Sequence, residues 1–178
     1  MSETVVDLIR AHARRAPESA ALVVSGGAGA APERVSYREL VERVDALEAE
    51  LRSAGVERAQ RVGLVARQGR GFIELALAIL SCRACLVPIA DDHTGAVLEG
   101  FAERAQLHAI AIERESAPGF ELVVRPQARA VDGNADRDFA ALDPAYLRFT
   151  SGTTSRRKGV ILGHAAIRKA VAPIGVAT

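Results

Sequence analysis

Tryptophan is absent from these 178 residues, and aromatic residues make up only 4% of them. A core of ordinary size must therefore be built from Ala, Val, Leu and Ile. No run of about 18 apolar residues occurs, so no segment reads as a bilayer-spanning helix. Cysteine is scarce, with two residues. The opening MSETVVDLIR lacks the basic stretch and apolar run of a secretory leader. The expectation is a cytoplasmic protein with reduced thiols. Net charge is also small, at +1, which removes any global attraction to nucleic acid or an anionic membrane. One absence is local. From Pro144 to Thr178 there is no Asp or Glu, while Arg148, Arg156, Arg157, Lys158, Arg168 and Lys169 all fall there. That asymmetry points to an anion site.

What is present reads as alternating strands and helices. Val5, Leu8, Ile9 and His12 recur at helical spacing, and Pro17 follows them. Ala20 to Val24 and Arg34 to Tyr37 read as short strands around the turn SGGAGAAPE. Ser36 and Glu39 form a capping box, and the helix after it carries Leu40, Val44, Leu47 and Leu51 until Gly55. Strands are predicted over 61–66, 85–89 and 109–112, with helices over 72–81 and 94–105 between them. Strand, helix, strand, helix, strand predicts parallel pairing. A further strand is predicted over 121–124. Gln127 to Phe139 is polar and reads as a surface loop. Strands over 146–149 and 160–162 precede a helix from Ala165. The predicted fold class is α/β, a mixed and partly parallel sheet with flanking helices and an antiparallel hairpin before it.

Several motifs suggest chemistry at first sight. Cys82 and Cys85 form a Cys-x-x-Cys, yet no second ligand pair completes a zinc site, and the pair runs into the apolar stretch CLVPI. Core packing is the expectation. The histidines are scattered, and ADDHTG around His93 reads as a helix-capping turn. No metal site is predicted. Gly69 and Gly71 stand between a strand and a helix, but the third glycine of a dinucleotide fingerprint is missing, so helix-start geometry is the expectation.

The stretch FTSGTTSRRKGVILGH differs in kind. Thr150, Ser151, Thr153, Thr154 and Ser155 supply hydroxyl donors, Gly152 frees the backbone to approach a ligand, and Lys158 adds a cation between Arg157 and Gly159. Phosphate oxygens are held by such a set of short donors and one charge-assisted bond. A Walker loop would place glycine at Arg157 and a hydroxyl at Gly159 and would open a helix, whereas Val160-Ile161-Leu162 reads as strand.

At these residues the sequence resembles the adenylate-forming superfamily of acyl-CoA synthetases, luciferases and peptide-synthetase adenylation domains. Its phosphate loop reads [Tyr/Phe]-Thr-Ser-Gly-[Thr/Ser]-Thr-Gly-x-Pro-Lys-Gly-Val, with [Thr/Ser]-His following. Phe149 to Thr154, Lys158, Gly159, Val160 and His164 match. Ser155 replaces a Gly, Arg157 replaces the Pro, and Gly163 precedes the His. Upstream, VSYREL, the RVGLV strand and the ACLVPIADD region also resemble the family's opening, with Arg83 where a Gly is usual.

The resemblance implies that residues 1–178 form the N-terminal portion of an AMP-forming ligase's large domain, without its C-terminal part or small domain. It implies nucleotide-phosphate binding by Thr150, Ser151, Gly152, Thr153, Thr154, Ser155, Arg157, Lys158 and Gly159. The substrates implied are ATP with Mg and a small-molecule carboxylate. The acceptor implied is the thiol of CoA or of phosphopantetheine on a carrier protein. No catalytic residue beyond the loop can be assigned, because the family's other contacts lie downstream, and the chain alone is expected to be inactive. The alternatives are a non-catalytic nucleotide-binding module and an interaction protein that self-associates through a truncated edge.

Overall fold

Two capping boxes launch the first helices. Thr4 Oγ1 accepts from the Asp7 amide at 3.2 Å while Asp7 Oδ2 accepts from the Thr4 amide at 2.8 Å, opening α1 (Val5–Arg15). Ser36 and Glu39 repeat the exchange at 3.2 and 2.7 Å, opening α2 (Tyr37–Ser53). Each box satisfies two amides that have no partner within the helix. Between these helices lie β1 (Ala20–Val24) and β2 (Glu33–Ser36), an antiparallel pair as the sequence pattern predicts. The computed structural model of the chain describes residues 3–25, 31–114, 119–125, 133–149 and 159–171.

The main unit follows as β3 (Arg61–Val65), α3 (Arg70–Ser81), β4 (Cys85–Ile89), α4 (Gly95–Arg104), β5 (Ala109–Glu113), β6 (Phe120–Val124), α5 (Gly133–Ala141), β7 (Pro144–Phe149), β8 (Gly159–Gly163) and α6 (His164–Val171). Its sheet has the order β6-β5-β3-β4-β7-β8. The four central strands are parallel, and the two outer strands, β6 and β8, pair antiparallel to their neighbours.

Strand alternation divides the core between the two faces of this sheet. Val62, Leu64, Leu86, Ala109, Ala111 and Ala145 face a layer holding α1, α2, α3 and Ile167 of α6. Val65, Cys85, Val87, Ile89, Ile110 and Leu147 face the opposite layer, with Ala102 of α4 and Phe139 of α5. Both faces are covered, so the central strands are mostly apolar, and all five residues of β3 are buried, Arg61 among them.

One segment departs from the sequence expectation. Within the stretch predicted as loop, 127–139, a helix begins at Gly133. Its polar composition disfavours helix, but tertiary contacts override that. Asp136 Oδ1 accepts from Arg61 Nη2 at 3.0 Å, and the Arg61 guanidinium lies 4.8 Å from the centroid of the Phe139 ring.

Candidate nucleotide-phosphate site

Chain direction sets where a ligand can enter. After β3 the chain leaves for the α3 layer, and after β4 it leaves for the α4 layer on the opposite face. Neighbouring parallel strands whose exits diverge leave a crevice at their carboxyl ends, the usual ligand position of open α/β sheets. A cavity of about 770 Å³ occupies that place. Gln68 and Gly69 border it from the β3 exit, Pro88 and Asp91 from β4, and Tyr146 and Arg148 from β7. Pro88 has no amide proton to give to a ladder. The β4–β7 pairing registers only at Leu86↔Tyr146, two residues before it.

β7 carries the chain along this cavity into the candidate loop. The β7–β8 hairpin pairs Tyr146 with Leu162, Leu147 with Ile161, Arg148 with Val160 and Phe149 with Gly159. Residues 150–158 join the last pair. Thr150, Ser151, Gly152, Thr153, Thr154, Ser155, Arg157 and Lys158 lie outside the described residues. Gly159 is described. It opens β8, and a Cβ there would stand 3.1 Å from Leu147 Cδ1 and 3.5 Å from Phe149 Cε1, so a larger residue would press on the root of the loop. A strand follows the loop, as predicted, and α6 begins only at His164. This is not the strand–loop–helix order of a Walker motif.

The other candidates resolve into structural roles. A Cβ on Gly71 would overlap the Glu113 carboxylate, whose Oε2 accepts from the Arg67 amide at 3.1 Å. The start of α3, where a dinucleotide's pyrophosphate would rest, thus already holds the chain's own anion. Burial raises the Cys82 thiol to about 11 and the Cys85 thiol to about 12, so neither is a thiolate at neutral pH. His93 sits just before α4, its Nδ1 2.9 Å from Asp92 Oδ1. The helix starts where the ADDHTG pattern places it, but the Thr94 side chain makes no cap hydrogen bond. His12 packs its ring on Tyr37, 4.3 Å between centroids. His108 Nδ1 accepts from the Arg61 amide at 3.1 Å. His164 is 1% exposed, and burial is the main force holding its pKa below the ordinary value. It closes the matched motif as a packed, neutral residue.

Sequence reasoning locates the loop and misses the cavity beside it. Its walls are gathered from three strand exits, and only Pro88 inside an otherwise apolar strand signals the place.

The pieces define a class first: an α/β sheet whose β7 and β8 pair antiparallel on either side of residues 150–158. The AMP-binding enzyme family matches over residues 9–177, and the chain belongs to that family. It is 28% identical to the hybrid PKS-NRPS synthetase pynA of Aspergillus niger, over 96% of this chain and 5% of that protein. It is 29% identical to the medium/long-chain-fatty-acid–[acyl-carrier-protein] ligase FadD10 of Mycobacterium tuberculosis, over 92% of this chain and 33% of that one. In fold it is similar to the fatty acyl-adenylate ligase from L. pneumophila, solved with acyl adenylate and pyrophosphate. The TM-score is 0.73 at 20% identity, covering 98% of this chain and 32% of the other. The chain thus spans a third or less of the length of these relatives.

Proposed function

We propose that residues 1–178 supply the phosphate-gripping part of an enzyme that activates a carboxylate with ATP. In that reaction a carboxylate oxygen bonds to the α-phosphorus, the bond from that phosphorus to the bridging oxygen breaks, and pyrophosphate leaves. The observation that supports the proposal is the hairpin, in which Phe149, at the edge of the crevice, pairs with Gly159 across residues 150–158. Thr150, Ser151, Thr153, Thr154 and Ser155 donate to the β- and γ-phosphate oxygens, Gly152 and Gly159 let the backbone close on them, and Lys158 with Arg157 offsets their charge. Charge develops on the departing pyrophosphate, and fixed donors placed there lower the barrier. The donor set offers magnesium hydroxyl oxygens but no carboxylate. No carboxylate occurs from Pro144 to Thr178, and no group of three His, Cys, Asp or Glu is poised for a metal among the described residues. The metal is therefore assigned to the incoming triphosphate, and no step is derived through it. CoA or a carrier-protein phosphopantetheine is the acceptor class that the relatives suggest.

Calorimetry of the pure chain with ATP and with pyrophosphate tests the grip. Lys158→Ala removes a charge-assisted bond worth about 1.5–3 kcal/mol, so binding should weaken roughly tenfold to a hundredfold. Unchanged binding in that variant, or no binding by the parent chain, removes the proposal. The chain alone is expected to give no carboxylate-dependent exchange of pyrophosphate into ATP, and a positive signal would show that it is a complete catalyst.

A second proposal concerns the outer edge of the same hairpin. Val160, Ile161 and Leu162 of β8 are 48%, 38% and 42% exposed, and among the described residues β8 ends the strand order. An apolar edge strand is a template for another strand, and we assign it to association between copies of the chain.

A further inference from the structure

The chain is poor in aromatic residues, and those it has are not spread evenly. It holds five Phe and two Tyr. Phe72, Phe101, Phe149 and Tyr146 all border a single cavity, the crevice of about 770 Å³ at the strand exits. They come from both sides of the sheet. Phe72 of α3 and Tyr146 of β7 pack on the layer of α1, α2 and α3, while Phe101 of α4 and Phe149 of β7 pack on the α4 layer. Phe101 and Phe149 hold each other edge to face, with ring centroids 5.4 Å apart and planes at 82°. All four residues are half-buried, so each keeps some of its surface outside the core. Rings contributed by both layers to one cavity suit a third, flat ring between them.

The polar side chains of this cavity are uncommitted. Among the described residues, no hydrogen bond or ion pair holds the side chains of Gln68, Asp91, Arg148 or the Tyr146 hydroxyl. Arginines elsewhere, such as Arg10, Arg61 and Arg70, are bound to carboxylates of the chain itself. An apolar cavity of several hundred Å³ with a few uncommitted polar groups is the usual form of a small-molecule site. We infer that the crevice binds a planar aromatic carboxylate, its ring among the four aromatic side chains and its carboxylate on Arg148. Asp91 borders the same cavity and repels a second negative charge, so a singly charged carboxylate suits it better than a phosphate. The inference deepens the carboxylate-activation proposal by naming the class of carboxylate. It rests on that proposal for the fate of the ligand, though not for its binding.

Calorimetry of the chain with three matched ligands tests this without ATP. Benzoate is flat and charged, cyclohexanecarboxylate is charged but puckered, and benzamide is flat but neutral. Benzoate should bind roughly fivefold more tightly than cyclohexanecarboxylate, as contact between rings predicts. It should bind about tenfold more tightly than benzamide, as a charge-assisted bond predicts. Arg148 is exposed, so Arg148→Gln leaves the core alone and should bring benzoate down to the affinity of benzamide. Arg104→Gln, at an exposed arginine of α4 outside the cavity, should bind benzoate as the parent does. Phe72→Leu keeps apolar bulk and loses a ring, and should narrow the gap between benzoate and cyclohexanecarboxylate to within about twofold. No saturable benzoate signal, or equal affinity for benzoate and cyclohexanecarboxylate in the parent, would overturn the inference. So would an unchanged preference in Phe72→Leu, or equal benzoate binding by Arg148→Gln and Arg104→Gln. If benzoate binds as described while ATP and pyrophosphate do not, the crevice keeps its ligand and the phosphate proposal falls. If ATP binds and benzoate does not, this inference falls alone.

Discussion

Arg83 shows how one substitution relative to a family pattern is accommodated. The resemblance places Gly there, and the structure gives the reason: Arg83 has φ of 57°. α3 ends in a double exchange, with the Arg83 amide donating to Leu80 O at 3.0 Å and the Ala84 amide to Ile79 O at 3.2 Å. This Schellman ending needs a left-handed residue at the first position past the cap. Arg83 accepts the strain and places its guanidinium on Asp143, with Nη2 3.1 and 2.9 Å from the two carboxylate oxygens. Arg83→Ala keeps the strain and loses the pair, while Arg83→Gly loses both. The glycine variant should therefore be the more stable of the two by roughly 1 kcal/mol. Urea unfolding midpoints check this, and equal midpoints would mean that the left-handed turn is not retained.

At the level of elements, legibility followed the source of each element's stability. α2 was readable because its cap and its stripe of Leu40, Val44, Leu47 and Leu51 are local in sequence, and those four are its buried residues. β3 and β4 were readable because strands covered on both faces are predominantly apolar, as RVGLV and CLVPI are. α5 was not readable, because what holds it comes from Arg61, 75 residues before Asp136 in the chain. Arg61 is 5% exposed, and its Nε also donates to Gln106 O at 2.8 Å. Arg61→Leu would remove that bond, the Asp136 pair and the cation over Phe139. Residues 136–141 should then lose their helical amide protection, and the chain should lose about 1–3 kcal/mol of stability. Retained protection there would show that α5 stands without Arg61. The crevice was illegible for a related reason, since its walls come from β3, β4 and β7 together.

At the level of the whole molecule, β8 ends the sheet among the described residues, and its Val160, Ile161 and Leu162 are exposed there. Ile161→Lys puts a charge in the middle of β8, the device that natural edge strands use against pairing. If the chain associates through this edge, light scattering should give a higher apparent mass for the parent than for Ile161→Lys. A monodisperse monomer for both would remove that proposal. The sequence carried the family pattern and the order of most elements, but it could not show which strands end the sheet, because that depends on strand order. The two thiols, set aside as catalytic candidates, gain a use from that same order. Cys82 lies under the layer of α1, α2 and α3, and Cys85 under the layer of α4. At 1% and 0% exposure, neither can meet a thiol reagent until its own side of the sheet opens. Labelling of each cysteine in turn, with the other replaced by alanine, would act as a pair of clocks, timing the departure of each helical layer separately.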